Sequence, residues 1–254
     1  MIGDLLPDRR EALAALLSSF TLVALAREAR GAAIAGETRV RRWLDAQQDI
    51  AEGLAQGRLT GRRWALEVER LACEIDVAEL MAAVDRAEIR PAGAPFHNDP
   101  HKRFVRFLDD EGRPRRLAYG AALFDFGPDN VVTPHGHRNM VSAHLVVAGR
   151  LRVRNFDRLG DSPGAIRLRP TRDYVAGPGR VSTMCAERDN IHWFVPQGGP
   201  ARTFDLLVSG LDPALPDHLV EAVDPVRARR AGDGSLIAPI IDLASSSRLY
   251  TSAI

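Results

Sequence analysis

Seven histidines stand in the chain: His97, His101, His135, His137, His144, His192 and His218. The pair in Thr133-Pro134-His135-Gly136-His137 carries the sharpest chemical signal. On an extended backbone, residues i and i+2 point to the same face, so both imidazoles turn toward one point. Imidazole ligates zinc, copper, iron and nickel alike, so the pair marks a metal site without naming the metal. His-x-His alone is a weak pattern, and its setting strengthens it. Gly149 follows at a turn, and His192 lies in Asp189-Asn190-Ile191-His192-Trp193, inside a later strand-like segment. Two histidines from one strand and a third from an opposed strand can meet inside a small barrel, where an open metal face is shielded from bulk water.

Other side chains gather around that constellation. Ser142 and His144 share the parity of Met140 on the strand-like run Met140–Ala148, so all three are pocket candidates. His144 could serve as a hydrogen-bond donor beside the metal, a pocket residue, a fourth ligand or a hydrogen-bonded core histidine. Ser142 reads as pocket wall rather than nucleophile, because no motif pairs it with a base. Asp205 is a polar residue in an apolar strand and needs a partner; Arg202 is the simplest one. Arg138, Arg152 and Arg180 are candidates to clamp a substrate carboxylate. His97, His101 and His218 fall in loop-like stretches, and Cys185 reads as a buried, inert thiol.

The elements that must position these residues form two blocks. Residues 38 to about 90 read as helical. Val40, Trp43, Leu44, Ile50 and Leu54 share a face, with Gly57 as a stop. Thr60 caps a second helix with Trp64, Val68 and Leu71 inward, and Asp76-Val77-Ala78-Glu79 opens a third as a capping box. These stripes, tryptophans included, read as core. Pro91-Ala92-Gly93-Ala94-Pro95 breaks the run. Short strands follow at Phe104–Leu108, Leu117–Phe126, Met140–Ala148, Leu151–Phe156, Ala165–Leu168, Arg180–Met184, Ile191–Val195 and Thr203–Val208. Gly149-Arg150 reads as the turn of a hairpin. Many short strands at close spacing predict a closed barrel or jelly roll. After Gly210 the chain reads as irregular, with a short helix near Asp217–Ala222 and an apolar tail (Ile237, Ile240, Ile241, Leu243) that packs back on the body.

The expected division is therefore residues 1–30 as an export signal or N-terminal helix, 31–95 as a helical segment, 96–211 as a β-barrel and 212–254 as an irregular extension. The first segment reads two ways. Arg9-Arg10, the apolar run Ala12–Ala26 and Ala24-Leu25-Ala26 have the layout of a twin-arginine export signal. Asp8 could equally cap an ordinary helix to about Arg30. The protein reads as cytoplasmic by default, with export to the periplasm as the alternative.

Composition narrows the function classes. With 34 basic and 33 acidic residues the formal charge is +1, which argues against a general grip on nucleic acid. No apolar stretch reaches the ~18–20 residues of a membrane-spanning helix. Cys73 and Cys185 cannot build a disulfide framework or a four-cysteine zinc site. Lys102 is the only lysine, which reads as the mark of a GC-rich genome. Nothing in the sequence indicates the oligomeric state.

The span from Phe104 to Leu211 resembles the cupin superfamily. Its first motif is His-x-His, four residues, a Glu, six residues and a Gly; His135, His137 and Gly149 fall on it, with Ser142 where the Glu is usual. His192 falls on the histidine of the second motif. The missing carboxylate points to a three-histidine site. Within the superfamily the chain is similar to the thiol dioxygenases, especially the cysteamine dioxygenase and plant cysteine oxidase branch. The likeness rests on Thr133–Met140, Gly149, Arg154-Asn155-Phe156-Asp157, Asn190-Ile191-His192 and Phe204-Asp205-Leu206-Leu207, with Arg138-Asn139 replacing the branch's Pro-Gly.

The resemblance implies a mainly β, cupin-type jelly roll with an N-terminal helical segment. It implies Fe(II), or another divalent metal, on His135, His137 and His192. It implies O2 and a small thiol or N-terminal cysteine as substrates, a sulfinic acid as product, and a catalytic role for Asp205 in orienting substrate or oxygen. Three neutral imidazoles would leave the metal its full charge, which favours thiolate over thiol. Another metal-dependent cupin enzyme, such as an isomerase or a different dioxygenase, and a non-enzymatic ligand-binding cupin are the alternatives.

Overall fold

The computed structural model describes Glu28 and residues 35–94, 98–216 and 219–252. The N-terminal segment through Ala26, His97 and His218 lie outside the described residues.

Helix α1 spans residues 35–55 and buries Val40, Trp43, Leu44, Ala51 and Leu54; Gly57, at φ 69°, follows its end. Helix α2 (Gly61–Ala72) is capped by Thr60, whose hydroxyl accepts from the Arg63 amide. Helix α3 (Val77–Val84) is capped by Asp76, which accepts from the Glu79 amide. The Glu79 carboxylate pairs with Arg39 of α1. Both tryptophans are core: Trp64 is buried, and the Trp43 indole N–H donates to the Leu71 carbonyl at 3.0 Å, tying α1 to α2.

The strands are β1 (Glu88–Pro91), β2 (His101–Arg106), β3 (Gly120–Phe126), β4 (Val132–Arg138), β5 (Met140–Ala148), β6 (Leu151–Ser162), β7 (Ala165–Ala176), β8 (Val181–Met184), β9 (Ile191–Pro196), β10 (Ala201–Ser209), β11 (Leu219–Val223), β12 (Arg229–Arg230) and β13 (Leu236–Ile241). They form two antiparallel sheets. One has six strands in the order β1-β2-β3-β10-β5-β8, and the other seven in the order β11-β4-β9-β6-β7-β13-β12. The architecture is a mainly β jelly roll with a helical layer on one side. Alternation on β5 and β10 divides that sheet's two faces. Val141, Ala143, Leu145, Val147, Phe204, Leu206 and Val208 pack with the helices in one core. Ser142, His144, Val146, Thr203 and Asp205 face the second sheet.

Two expectations are corrected. No hairpin forms across Gly149-Arg150, because both edges of each flanking strand are taken elsewhere: β5 lies between β10 and β8, and β6 between β9 and β7. Gly149 instead turns the chain from one sheet to the other. Its φ is 68°, and a Cβ there would stand 2.2 Å from the Pro200 carbonyl oxygen. Nor does Asp217–Ala222 form a helix over its described part: Leu219–Val223 is strand β11, paired with β4 so that Val220 faces His137 and Ala222 faces His135. The open edge of β4 offers ladder hydrogen bonds that outweigh local helical preference. The C-terminal part is likewise more regular than expected. Its tail forms β13 and helix α4 (Leu243–Leu249), with Tyr250 packed edge-on against Trp193 at 4.9 Å.

Candidate metal centre

Strand β4 carries His135 and His137 on one face, and β9 places His192 directly opposite His135 in the ladder. The ring centroids are 4.3 Å apart for His135 and His192, 4.7 Å for His135 and His137, and 5.3 Å for His137 and His192. One ligand atom from each lies within 4.8 Å of the others. His135 Nδ1 stands 2.7 Å from the Thr133 carbonyl, which can only accept, so that nitrogen carries the proton and Nε2 keeps its lone pair. His135 Nε2 and His137 Nε2 are 2.9 Å apart.

Electrostatics favour the ligating form. Burial pushes His135 down to about 4, against a smaller opposing pull from the Thr133 carbonyl. Burial, and then the neighbouring His135, His144 and His137, push His192 well below the ordinary histidine value. Both rings are neutral at physiological pH and ready to bind a cation. His192 Nδ1 is buried without a hydrogen-bond partner. A buried polar atom left unpaired is costly, and this one stands in a cluster of imidazoles with no carboxylate in it. The donor set fits a divalent transition metal.

The local backbone is built to hold β4 against β9. A Cβ on Gly136 would meet Ile191 Cδ1 at 2.4 Å and Asn190 Oδ1 at 2.8 Å, so only glycine fits between the two histidines. The Asn190 side-chain amide donates to the His137 carbonyl at 3.0 Å and to the Cys185 carbonyl at 3.3 Å. Asp189, at φ 53°, accepts from the Thr171 hydroxyl at 2.5 Å. Its carboxylate also pairs with Arg172 at 3.3 Å and Arg188 at 3.5 Å. Arg188 in turn donates to Glu69 of α2 at 2.7 Å, and Thr183 donates to the same carboxylate at 2.8 Å. A helix thus anchors the loop that delivers His192. Sequence reasoning missed Gly136 and the Glu69 network. The first lay within the motif, but only the register shows what crowds it. The second joins residues with no sequence pattern in common.

The opposite wall carries a second constellation. Ser142 Oγ lies 2.9 Å from His144 Nε2, and His144 Nδ1 lies 2.7 Å from Asp205 Oδ2. All three residues are buried. The carboxylate accepts the Nδ1 proton, so Nε2 accepts the Ser142 hydroxyl proton. The sequence offered Ser142 no base, and the structure supplies His144 two residues on. Arg202 is not the partner of Asp205; it pairs with Asp125 at 2.5 Å. The His144 ring stands 5.1 Å from His192, centroid to centroid, which brings the two walls together. Met140 is buried at the start of the same strand. Of the candidate clamps, Arg138 is paired with Asp161 and Glu221, Arg152 with Asp173, and Arg180 is exposed. His101 is exposed on β2. The Cys185 thiol is buried and pushed up to about 12, chiefly by burial, which makes it inert.

The sequence matches no known protein-family profile and no curated protein sequence. Several solved structures are distantly similar to it. Procruciferin, an 11S globulin from Brassica napus, is 13% identical over 52% of this chain and 29% of its own, with a TM-score of 0.36. A sugar phosphate isomerase of the cupin superfamily from Silicibacter pomeroyi is 19% identical over 61% of this chain and 89% of its own, also at 0.36. An oxalate oxidase is 20% identical over 46% and 55%, at 0.33. The chain thus spans less than a third of the globulin and about half of the oxidase. Similarity at this level bears on neither the reaction nor the ligand.

Proposed function

We propose that the protein is a non-haem Fe(II) thiol dioxygenase, converting a thiol to a sulfinic acid with O2. The observation that carries this reading is the ligand group itself: His135, His137 and His192 converge with no carboxylate among them. Fe(II) held by neutral imidazoles would supply the positive charge that favours thiolate and the redox chemistry that lets both atoms of O2 add to sulfur. The chain's own residues do the rest. The three histidines sit on one sheet and the Ser142–His144–Asp205 relay on the other, and the His144 and His192 rings meet 5.1 Å apart, so a group bound at the three histidines has the relay beside it. Ser142 Oγ takes the thiol proton while passing its own to His144 Nε2, and Asp205 steadies the imidazolium that forms. Asp205 acts through His144, as a positioning residue. Ser142, His144, Asp205 and His192 are buried, which keeps bulk water from this exchange.

The test is metal analysis of the purified protein together with oxygen consumption on cysteine, cysteamine, mercaptopropionate and a Cys-initiated peptide. Iron at about one equivalent and thiol-dependent uptake that His192→Ala abolishes are the expected results. Iron without any thiol response would sink the substrate class, and absence of bound metal would sink the reading.

A further inference from the structure

The loop between β8 and β9 begins with a tight turn. Cys185 and Arg188 exchange backbone hydrogen bonds across it, the Cys185 amide donating at 3.0 Å and the Arg188 amide at 3.4 Å. The Asn190 side chain joins that turn to β4, since it donates to the Cys185 and His137 carbonyls alike. Two ligands of the metal centre therefore depend on where the turn sits: His192, two residues past Asn190, and His137 on the neighbouring strand. Helix α2 holds the turn at two points. At the start of the helix, a Cβ on Gly61 would stand 2.7 Å from Glu187 Oε2 and 2.9 Å from Cys185 Cβ, so no methyl group fits between helix and turn. Two helical turns on, the Glu69 carboxylate accepts from Arg188 Nη2 at 2.7 Å and from Thr183 Oγ1 at 2.8 Å, with Arg172 Nη2 at 3.5 Å.

Charge makes this grip specific. Glu69 and Asp189 face Arg172 and Arg188, two carboxylates against two guanidiniums. Asp189 is buried, and Glu69 and Arg188 are half-buried. Charged hydrogen bonds are the strong ones, and a charge left unbalanced away from water is costly. Without the charge of Glu69, Asp189 alone faces both guanidiniums. Asp189 already holds a left-handed backbone, φ 53°, three residues before His192. Rearrangement of the junction is thus passed along the chain to a ligand.

We infer that Glu69 is a positioning residue for the three-histidine centre: the docking of α2 sets the centre's affinity for a divalent transition metal, and metal binding in turn tightens the docking of α2. The inference rests on the metal centre and not on the thiol reaction.

The experiment uses the full chain and Co(II), whose visible absorption reports its ligands. Glu69→Gln is expected to raise the Kd for Co(II) about tenfold and to shift the absorption bands of the bound ion. Asp76→Ala, which uncaps α3 away from the turn, is expected to lower the urea midpoint and leave that Kd unchanged. Glu69→Gln combined with Arg188→Gln is expected to weaken binding no further than Arg188→Gln alone, as for residues that act as one unit. In the wild type, Co(II) is expected to slow amide hydrogen exchange across Gly61–Ala72 and not across Val77–Val84. An unchanged Kd in Glu69→Gln, or equal weakening by Asp76→Ala, would overturn the inference and leave the metal centre standing. Co(II) binding coupled to α2 in a protein that oxidises no thiol would sustain the inference and remove the dioxygenase. Absence of Co(II) binding to the wild type removes centre and inference together. Unaltered exchange in α2 on binding overturns the coupling even if no variant folds.

Discussion

At the scale of single residues, the site sorts its polar groups onto two walls, and each wall can be tested alone. Asp205→Asn removes the charge from a buried hydrogen bond to His144. It is expected to cost about 1.5–3 kcal/mol, read as a lower urea midpoint at unchanged slope, with the metal retained. Retention is expected because Asp205 is not among the three ligands. The depressed His135 pKa sets a pH dependence in the metal-free protein. Between its folded value of about 4 and the unfolded value near ~6.5, the unfolded chain holds a proton that the folded chain does not. Stability therefore rises with pH across that window and levels off above it. The difference in urea midpoint between wild type and His135→Gln isolates the effect, and a difference that does not vary over the window would refute it. The histidine constellation was legible in the sequence because period-two alternation converts spacing into direction. Ser142 and His144 were legible as neighbours for the same reason. Their bond to each other and to Asp205 was not, since it depends on which strand lies beside β5.

At the scale of elements, caps and stripes were the most readable features, because each depends on residues within one turn. Thr60, Asp76 and Gly57 end or begin helices where the sequence places them. The bounds of β5, Met140–Ala148, also agree with expectation. Strand partners were not readable. Gly149 has the residue type of a hairpin turn, and the same positive φ serves a corner between sheets. Gly149→Ala must place a Cβ 2.2 Å from the Pro200 carbonyl and hold a non-glycine residue at positive φ. A loss of at least about 2 kcal/mol is expected in chemical denaturation. An unchanged midpoint would mean that the corner is free to move. Leu219–Val223 teaches a complementary lesson: a polar-flanked segment with helical preference became a strand because β4 had an edge to fill.

At the scale of the whole molecule, the jelly roll buries β5 on both faces, under helices on one side and against the second sheet on the other. The site thus lies between two packed layers, and its occupancy bears on global stability. A divalent ion present at 100 times its Kd is expected to stabilise the fold by about 2.7 kcal/mol, at about 2–4 °C of Tm per kcal/mol for a chain of this size. Chelation is expected to reverse that shift, and His192→Ala to abolish it in a thermal melt. A melt indifferent to the ion would place it off the folded site.

Strand β4 also has a place in time. His135 is bracketed by His192 on one side and Ala222 on the other, and both follow it in the chain. When β4 leaves the ribosome, neither of its neighbours has been made. His135 and His137 must wait, unpaired, for β9 and then β11 to be made, and such distant pairings close slowly. The sheet around the two histidines of β4 is then completed only after translation has passed β11.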